Sequence, residues 1–238
     1  MIGLGTIANV AAIVVGGCLG ALLRGGLKEH YQTALTRSLG LATLFIGGAG
    51  ALGGMVQVVD GQLVSRDTLG MILALALGTL LGELCDFDGR MERLGHWLKA
   101  RAARGDDALF VEGFVTASLV VCIGAMAIVG SIQDGLTGDP STLYTKSILD
   151  FMIVLVFAST YGRGAIFSAL PVGVLQGSVT LLAGMVAPLF TPEVIANLSF
   201  LGSILIFCVG VNLVFDRRFR VANMLPVLVI GAVYTALF

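Results

Sequence analysis

One amide, three hydroxyls and a proline interrupt an otherwise apolar stretch near the end of the chain. After Phe167 the sequence runs Ser168-Ala169-Leu170-Pro171-Val172-Gly173-Val174-Leu175-Gln176-Gly177-Ser178-Val179-Thr180. A carboxamide offers a donor and an acceptor together, and a hydroxyl does the same. Gln176, Ser168, Ser178 and Thr180 could therefore hold a small polar solute or an ion where water is scarce. The same groups could equally serve as interhelical glue, at about 0.6 kcal/mol per bond. Pro171 has no N–H to donate, which predicts a kink or a carbonyl freed one turn earlier. Gly173 and Gly177, like Gly78 and Gly82 earlier in the chain, allow close approach of a solute or of another helix. Asn9, Ser203 and Asn212 are further polar positions within apolar segments.

Two carboxylates stand out as possible ion-coupling groups, Glu83 and Asp150. A carboxylate at mid-membrane costs about 2.5–3.5 kcal/mol on insertion scales, so a central one would point to ion coupling. The expectation places neither at the centre. Glu83 falls at the end of its segment, and Asp150 in the first turn of the next predicted helix but one, where solvation or capping suits a carboxylate. Other chemistries lack their signatures. There is no HExxH, GxSxG or phosphate loop, so no catalytic residue is assigned and the chain is not read as an enzyme. Cys18, Cys85, Cys122 and Cys208 form no CxxC pair and read as small buried hydrophobes, while His30 and His96 fall in separate charged segments. No metal or other cofactor is expected. A net charge of -1 gives no nucleic-acid reading.

The elements that must position these groups follow from hydropathy. Of 238 residues, 57% are hydrophobic and 12% charged, with a mean hydropathy of +0.97. Ordinary soluble domains carry about 25% charged residues. The lipid bilayer is the expected partner. Apolar runs of membrane-spanning length lie at about 2–23, 38–59, 68–85, 113–131, 147–162, 165–187, 195–215 and 222–238. The fifth is short, and the last is short and contains Pro226. No alternation suggests strands. No basic residues precede the first run, so it reads as a helix and not as a cleaved leader.

Lys and Arg give the expected sidedness. Arg24, Lys28, Arg37, Arg90, Arg93, Lys99, Arg101, Arg104, Arg163, Arg217, Arg218 and Arg220 fall on one side of this layout, against Arg66 and Lys146 on the other. The crowded side is expected to be cytoplasmic, with the N-terminus outside. The cytoplasmic linker 86–112 places Met91, Leu94, Trp97 and Leu98 at helical spacing among basic residues, as in a helix lying on the inner surface or docking a soluble partner.

An internal repeat organises the segments. Thr33-Ala34-Leu35-Thr36-Arg37-Ser38 matches Thr142-Leu143-Tyr144-Thr145-Lys146-Ser147, and Ala74-Leu75 with Gly78 and Gly82 matches Ala169-Leu170 with Gly173 and Gly177. The expected domains are a three-helix repeat over 1–85, the linker 86–112, a second repeat over 113–187, and C-terminal helices over 188–238. An odd number of spans inverts the second copy. Inverted repeats meeting near the midplane carry the logic of alternating access.

The stretch Gly3-Leu4-Gly5-Thr6-Ile7-Ala8-Asn9 through Gly16-Gly17-Cys18-Leu19-Gly20 resembles the start of a bacterial membrane-protein family with YqgA-like and YdfK-like members. Leu80-Leu81-Gly82-Glu83 and Phe167-Ser168 through Gln176-Gly177 resemble it too, over nearly the whole chain. The resemblance implies a bacterial inner-membrane location and this helix layout. Its family carries a domain-of-unknown-function label, so it supplies no site residues.

The expected fold is thus an all-α polytopic membrane protein. It has seven or eight transmembrane helices, with two inverted three-helix repeats and one or two C-terminal helices. The expected function is an alternating-access permease for an unknown small solute or ion. The alternatives are a scaffold or regulator acting through a helix at 88–104, or a passive channel. A homodimer is compatible, since this few helices enclose little space.

Overall fold

In hydrocarbon a backbone must satisfy its own hydrogen bonds, and a run of about twenty apolar residues does so as a helix. The computed structural model describes residues 2–24, 29–59, 62–65, 68–102, 109–215 and 219–237, and obeys this rule closely. In chain order come α1 (Leu4–Arg24), α2 (Glu29–Met55), a hairpin of β1 (Val56–Val59) and β2 (Gln62–Ser65), α3 (Thr68–Cys85) and α4 (Phe87–Ala102). Then follow α5 (Phe110–Cys122), α6 (Ala125–Thr137), α7 (Ser141–Tyr161), α8 (Ala169–Leu181), the single turn α9 (Ala183–Val186), α10 (Pro192–Phe215) and α11 (Pro226–Leu237). Among the described residues six helices are long and apolar enough to cross a membrane, and the bent pair α5–α6 makes up to seven. The protein is an all-α membrane protein. Lys28, Arg66, Arg104, Arg217 and Arg218 lie outside the described residues.

Four expectations shift. The span expected at 38–59 ends at Met55, and its β-branched tail pairs antiparallel with β2, Val56 opposite Ser65 and Val59 opposite Gln62. The span expected at 113–131 is α5 and α6, bent by 61° where Gly124 adopts an extended conformation. The helix expected at 147–162 begins six residues earlier, at Ser141. Finally, Pro171 does not fall in the middle of its α-helix. It lies in the first turn of α8, after a 3-10 entry over Arg163–Ser168, where a missing N–H costs little. Pro226 opens α11 in the same way after a 3-10 turn over Val221–Met224. Leu170-Pro171-Val172 and Leu225-Pro226-Val227 are thus the same device used twice.

The chain forms two compact units, each drawn from separated stretches. The first comprises Met1–Arg37 with Arg90–Pro188, and the second Ser38–Gly89 with Leu189–Phe238. In the first, α1 runs parallel to α7 at backbone contact. A Cβ on Gly16 would lie 2.6 Å from the Phe151 carbonyl oxygen, and one on Gly20 would overlap that of Leu155. On α4, Leu98 packs with Phe110 and Phe114 of α5, alongside Met91. Leu94 and Trp97, expected with them on one apolar face, are exposed instead. Cys18 and Cys85 are exposed as well, Cys122 is partly buried, and Cys208 alone of the four thiols is buried.

In the second unit α3 uses the same small-residue logic against α11 and its 3-10 entry. A Cβ on Gly78 would stand 2.5 Å from the Val227 backbone, and one on Gly82 would collide with the Asn223 carbonyl oxygen. Gly40, Gly47 and Gly54 of α2, spaced by seven residues, meet Leu213, Phe207 and Phe200 of α10 in antiparallel order. Close backbone approach maximises van der Waals contact where no hydrophobic effect drives helix association.

A connection in the first unit is held by side chains. Gly138 ends α6 in the left-handed conformation (φ 69°). Asp139 then accepts the Ser141 N–H at 3.0 Å and the Gln133 amide N–H at 2.7 Å. The Ser141 backbone N–H first, and then its hydroxyl, hold the Asp139 carboxyl below its ordinary value.

Three substitutions test these contacts. Gly82→Val in detergent-solubilised protein is expected to lower stability by about 1–3 kcal/mol, the usual range for overpacking. Gly177→Ala, where a Cβ meets nothing within 4 Å, is expected to raise stability by about 0.5–1 kcal/mol, the helix-interior cost of glycine. Because the folded pKa of Asp139 is lowered, its cap stabilises the fold above the ordinary carboxylate range and loses that effect as pH falls through the lowered value. The melting-temperature gap between wild type and Asp139→Ala is therefore expected at pH 7 and closed in strong acid.

Candidate functional site

Four polar side chains from three helices converge in the first unit. Lys146 and Asp150 lie four residues apart on α7 and so share one face. Both are buried, at 5% and 2% exposure. The Lys146 ammonium donates to both Asp150 oxygens, at 2.7 and 2.6 Å. Its remaining donor reaches the Val121 carbonyl oxygen at 2.9 Å. That carbonyl lies in the last turn of α5, beside the break at Gly124, where a helix runs out of internal donors. From α1 the Asn9 amide donates to Asp150 at 2.9 Å and to the Gln176 carbonyl oxygen of α8 at 3.3 Å. Asn9 and Gln176 are fully buried.

The cluster continues along α1 toward its N-terminus. Thr6 and Thr180 bring their hydroxyls to 3.4 Å. One residue earlier, the Gly5 N–H donates to the buried Asp134 carboxylate of α6 at 3.1 Å. α1 has no acidic residue in its own first turn, so α6 supplies the carboxylate that a helix N-terminus favours.

The candidate residues sort clearly. Asn9, Gln176, Thr180 and Asp150 come together. Ser178, two positions from both Gln176 and Thr180, is exposed on another face of α8. Ser168 is buried but donates to the Ala165 carbonyl oxygen at 2.8 Å, within its own turn. Gly173 meets Val10 of α1, and a Cβ there would come within 3.3 Å of it, while Gly177 faces open space. Gly78 and Gly82 belong to the second unit and serve the packing of α3. Glu83, also in that unit, ends α3 half-exposed and accepts from Arg220 at 2.9 Å, with Asp86 and the buried Asp88 beside the same guanidinium.

Asp150 corrects the expectation of a solvated or capping carboxylate. It sits in the third turn of α7 and is neutralised by Lys146, which the charge count had assigned to an external connection. The signal that would have placed both lies just upstream. Gly138-Asp139-Pro140-Ser141 combines a helix stop, a capping carboxylate and a helix-starting proline. A helix begun there puts Lys146 and Asp150 one turn apart, well inside it. Thr6 and Asp134 were missed too, since nothing local marks them.

Membrane-crossing helices around a buried ion pair and two carboxamides define a polytopic membrane protein with a polar centre inside its helix bundle. The chain belongs to the family described as "Protein of unknown function (DUF554)", whose model matches residues 4–236. It is 30% identical to "Uncharacterized protein YqgA" of Escherichia coli (strain K12), over 99% of both chains. It is 31% identical to "Uncharacterized membrane protein YdfK" of Bacillus subtilis (strain 168), over 96% of this chain and 94% of that one. No solved structure matches.

A buried pair tolerates loss of both charges better than loss of one, because a single survivor is left uncompensated. Asp150→Asn alone and Lys146→Met alone are each expected to destabilise the protein by about 3–5 kcal/mol. The double variant is expected to recover most of that loss in denaturant titrations of the detergent-solubilised protein.

Proposed function

We propose that this protein is a transporter of a small solute or ion in the bacterial inner membrane, with Lys146, Asp150, Asn9 and Gln176 as its central site. The observation that carries this reading is the buried Lys146–Asp150 pair in the first half of α7, bridged to α1 and α8. Ionisable groups inside membrane helices are rare because they are costly, and they mark ion and substrate paths. The break between α5 and α6, whose free carbonyl reaches Lys146, supports the same reading, since interrupted helices build the binding sites of secondary transporters.

Charge supports the orientation. With Lys146 withdrawn into the bundle, Arg66 alone opposes twelve basic residues on the side read as cytoplasmic, which keeps the N-terminus outside. The matched segments Thr33–Ser38 and Thr142–Ser147 lie within α2 and α7, and three helices per repeat would invert the second copy. The repeats are not the compact units, since α1 groups with α5–α8. Alternating access would then exchange the environments of the two repeats around the central pair.

Reconstituted protein on a solid-supported membrane is expected to give saturable currents on proton, sodium or potassium jumps. The Lys146→Met/Asp150→Asn double variant is expected to abolish them, and Ser178→Ala to retain them. Cysteines at 173–180, in a background lacking the four native ones, should react with impermeant reagents from one side or the other. No current and no flux, with complete protection at all eight positions, would overturn the proposal. The scaffold reading rests on α4, where Trp97 is half-exposed with Arg101 stacked 4.4 Å from its ring centroid. Leu94→Glu with Trp97→Glu separates the two readings, since a transporter keeps its flux and a regulator loses its partner.

A further inference from the structure

Three fully buried side-chain atoms of the first unit have no hydrogen-bond partner among the described residues. They are Asp134 Oδ1, Asn9 Oδ1 and Gln176 Nε2. We propose that a file of ordered water runs between α1, α6 and α8 from Asp134 to Asn9 and Gln176. It would deliver protons to Asp150 from the Asp139 end of the unit only. The inference rests on the transport reading and gives that site its access route.

The orphan atoms do not depend on how the amides are drawn. Reversing Asn9 would set a carbonyl oxygen 2.9 Å from the Asp150 carboxylate and against the Gln176 carbonyl oxygen. Its NH2 is therefore committed to both acceptors, which leaves Asn9 Oδ1 over. Gln176 must present its oxygen to that NH2, which leaves Nε2 over. An unmet buried polar group costs about 1–3 kcal/mol, a heavy burden three times over in one bundle. Water meets all three, since it donates to the two oxygens and accepts from the amide nitrogen.

α1 sets the spacing of the three, since Asp134 is held at Gly5 and Gln176 at Asn9. Gly5, Thr6 and Asn9 occupy one face of α1 over about 6 Å of rise, a length that a few water molecules fill. Between the ends stand the Thr6 and Thr180 hydroxyls, each able to donate or accept. Beyond Asn9 the interface is dry. Ile13 is fully buried, and Gly16, Gly17 and Gly20 bring α1 onto the backbones of Phe151, Ile166 and Leu155. Entry in this proposal is therefore from the Asp134 end, five residues from the exposed Asp139.

The groups around Asp150 are Lys146 on its own helix, Asn9 from α1, Gln176 from α8 and the Cys122 thiol from α5, with Asp134 of α6 at the far end of the file. A hydronium in the file gives its proton to an Asp150 oxygen and leaves as water. The pair then passes from neutral to a single positive charge, with Lys146 still donating to Val121.

Water-edited solid-state NMR on the full protein in lipid bilayers tests this without any transport assay. The probe is water itself. The Gln176 and Asn9 side-chain amides, assigned through Gln176→Leu and Asn9→Leu, are expected to receive water magnetisation nearly as fast as Gln133 at the surface. The Ile13 and Val154 methyl groups are expected to receive it slowly. Thr6→Leu, which plugs the file, is expected to abolish rapid transfer to Gln176. Slow transfer to Gln176 and Asn9 in the wild type overturns the file. Equal transfer to Ile13 overturns its closed end. Dry amides beside Asp150-dependent currents would sink the file alone, and wet amides without any current would sink the transport reading alone.

Discussion

A charge placed among membrane helices must find its opposite there, and that requirement organises the first unit. Lys146 could not remain in the middle of the bundle without Asp150, and Asp150 is no better off alone. Their neutrality still leaves lone pairs and protons to satisfy. Val121 accepts the last Lys146 N–H because a helix break has freed its carbonyl, and Asn9 donates to one Asp150 oxygen. Gln176 then follows from Asn9. One ion pair thus recruits α1, α5 and α8 around α7, with each partner supplied by a different part of the chain.

A second constraint acts on the apolar surfaces. Lipid tails are as apolar as leucine, so helices gain little from hiding leucine and much from close contact. Glycine faces meet this need in both units, α1 on α7 and α3 on α11. Their spacing places one helix directly on the carbonyls of another, which leaves no room for water. The polar seam and the glycine seam are therefore successive levels of one buried face of α1, Gly5 to Asn9 first and Ile13 to Gly20 after it. The repeated 3-10 entry followed by Leu-Pro-Val serves the same end, since it starts α8 and α11 firmly and sets them against α1 and α3.

Much of this was legible in the chain. Hydropathy located the crossing helices but set the starts of α2 and α7 nine and six residues late, and the polar positions of α8 marked Gln176 and Thr180 as candidates. Asn9 was marked only as a further polar position, beside Ser203 and Asn212. Lys146 was misplaced because its helix start was read from hydropathy alone, which a lysine and two threonines dilute, while the cap at Asp139 was ignored. Gly78 and Gly82 resemble Gly173 and Gly177 in sequence, yet the first pair is walled in by backbone and Gly177 meets open space. No local pattern distinguishes a glycine that lines a path from one that lets helices touch.

By itself the sequence determined that this is a helical membrane protein, where its spans run and which polar residues must find partners, because those follow from sums over about twenty neighbouring residues. Only the tertiary structure decided what the partners are. Asn9 meets Asp150 and Gln176 across 141 and 167 residues, and Gly5 meets Asp134 across 129. Hydropathy adds up along the chain, whereas neutralising a buried charge depends on which side chains several helices bring to the same few ångströms.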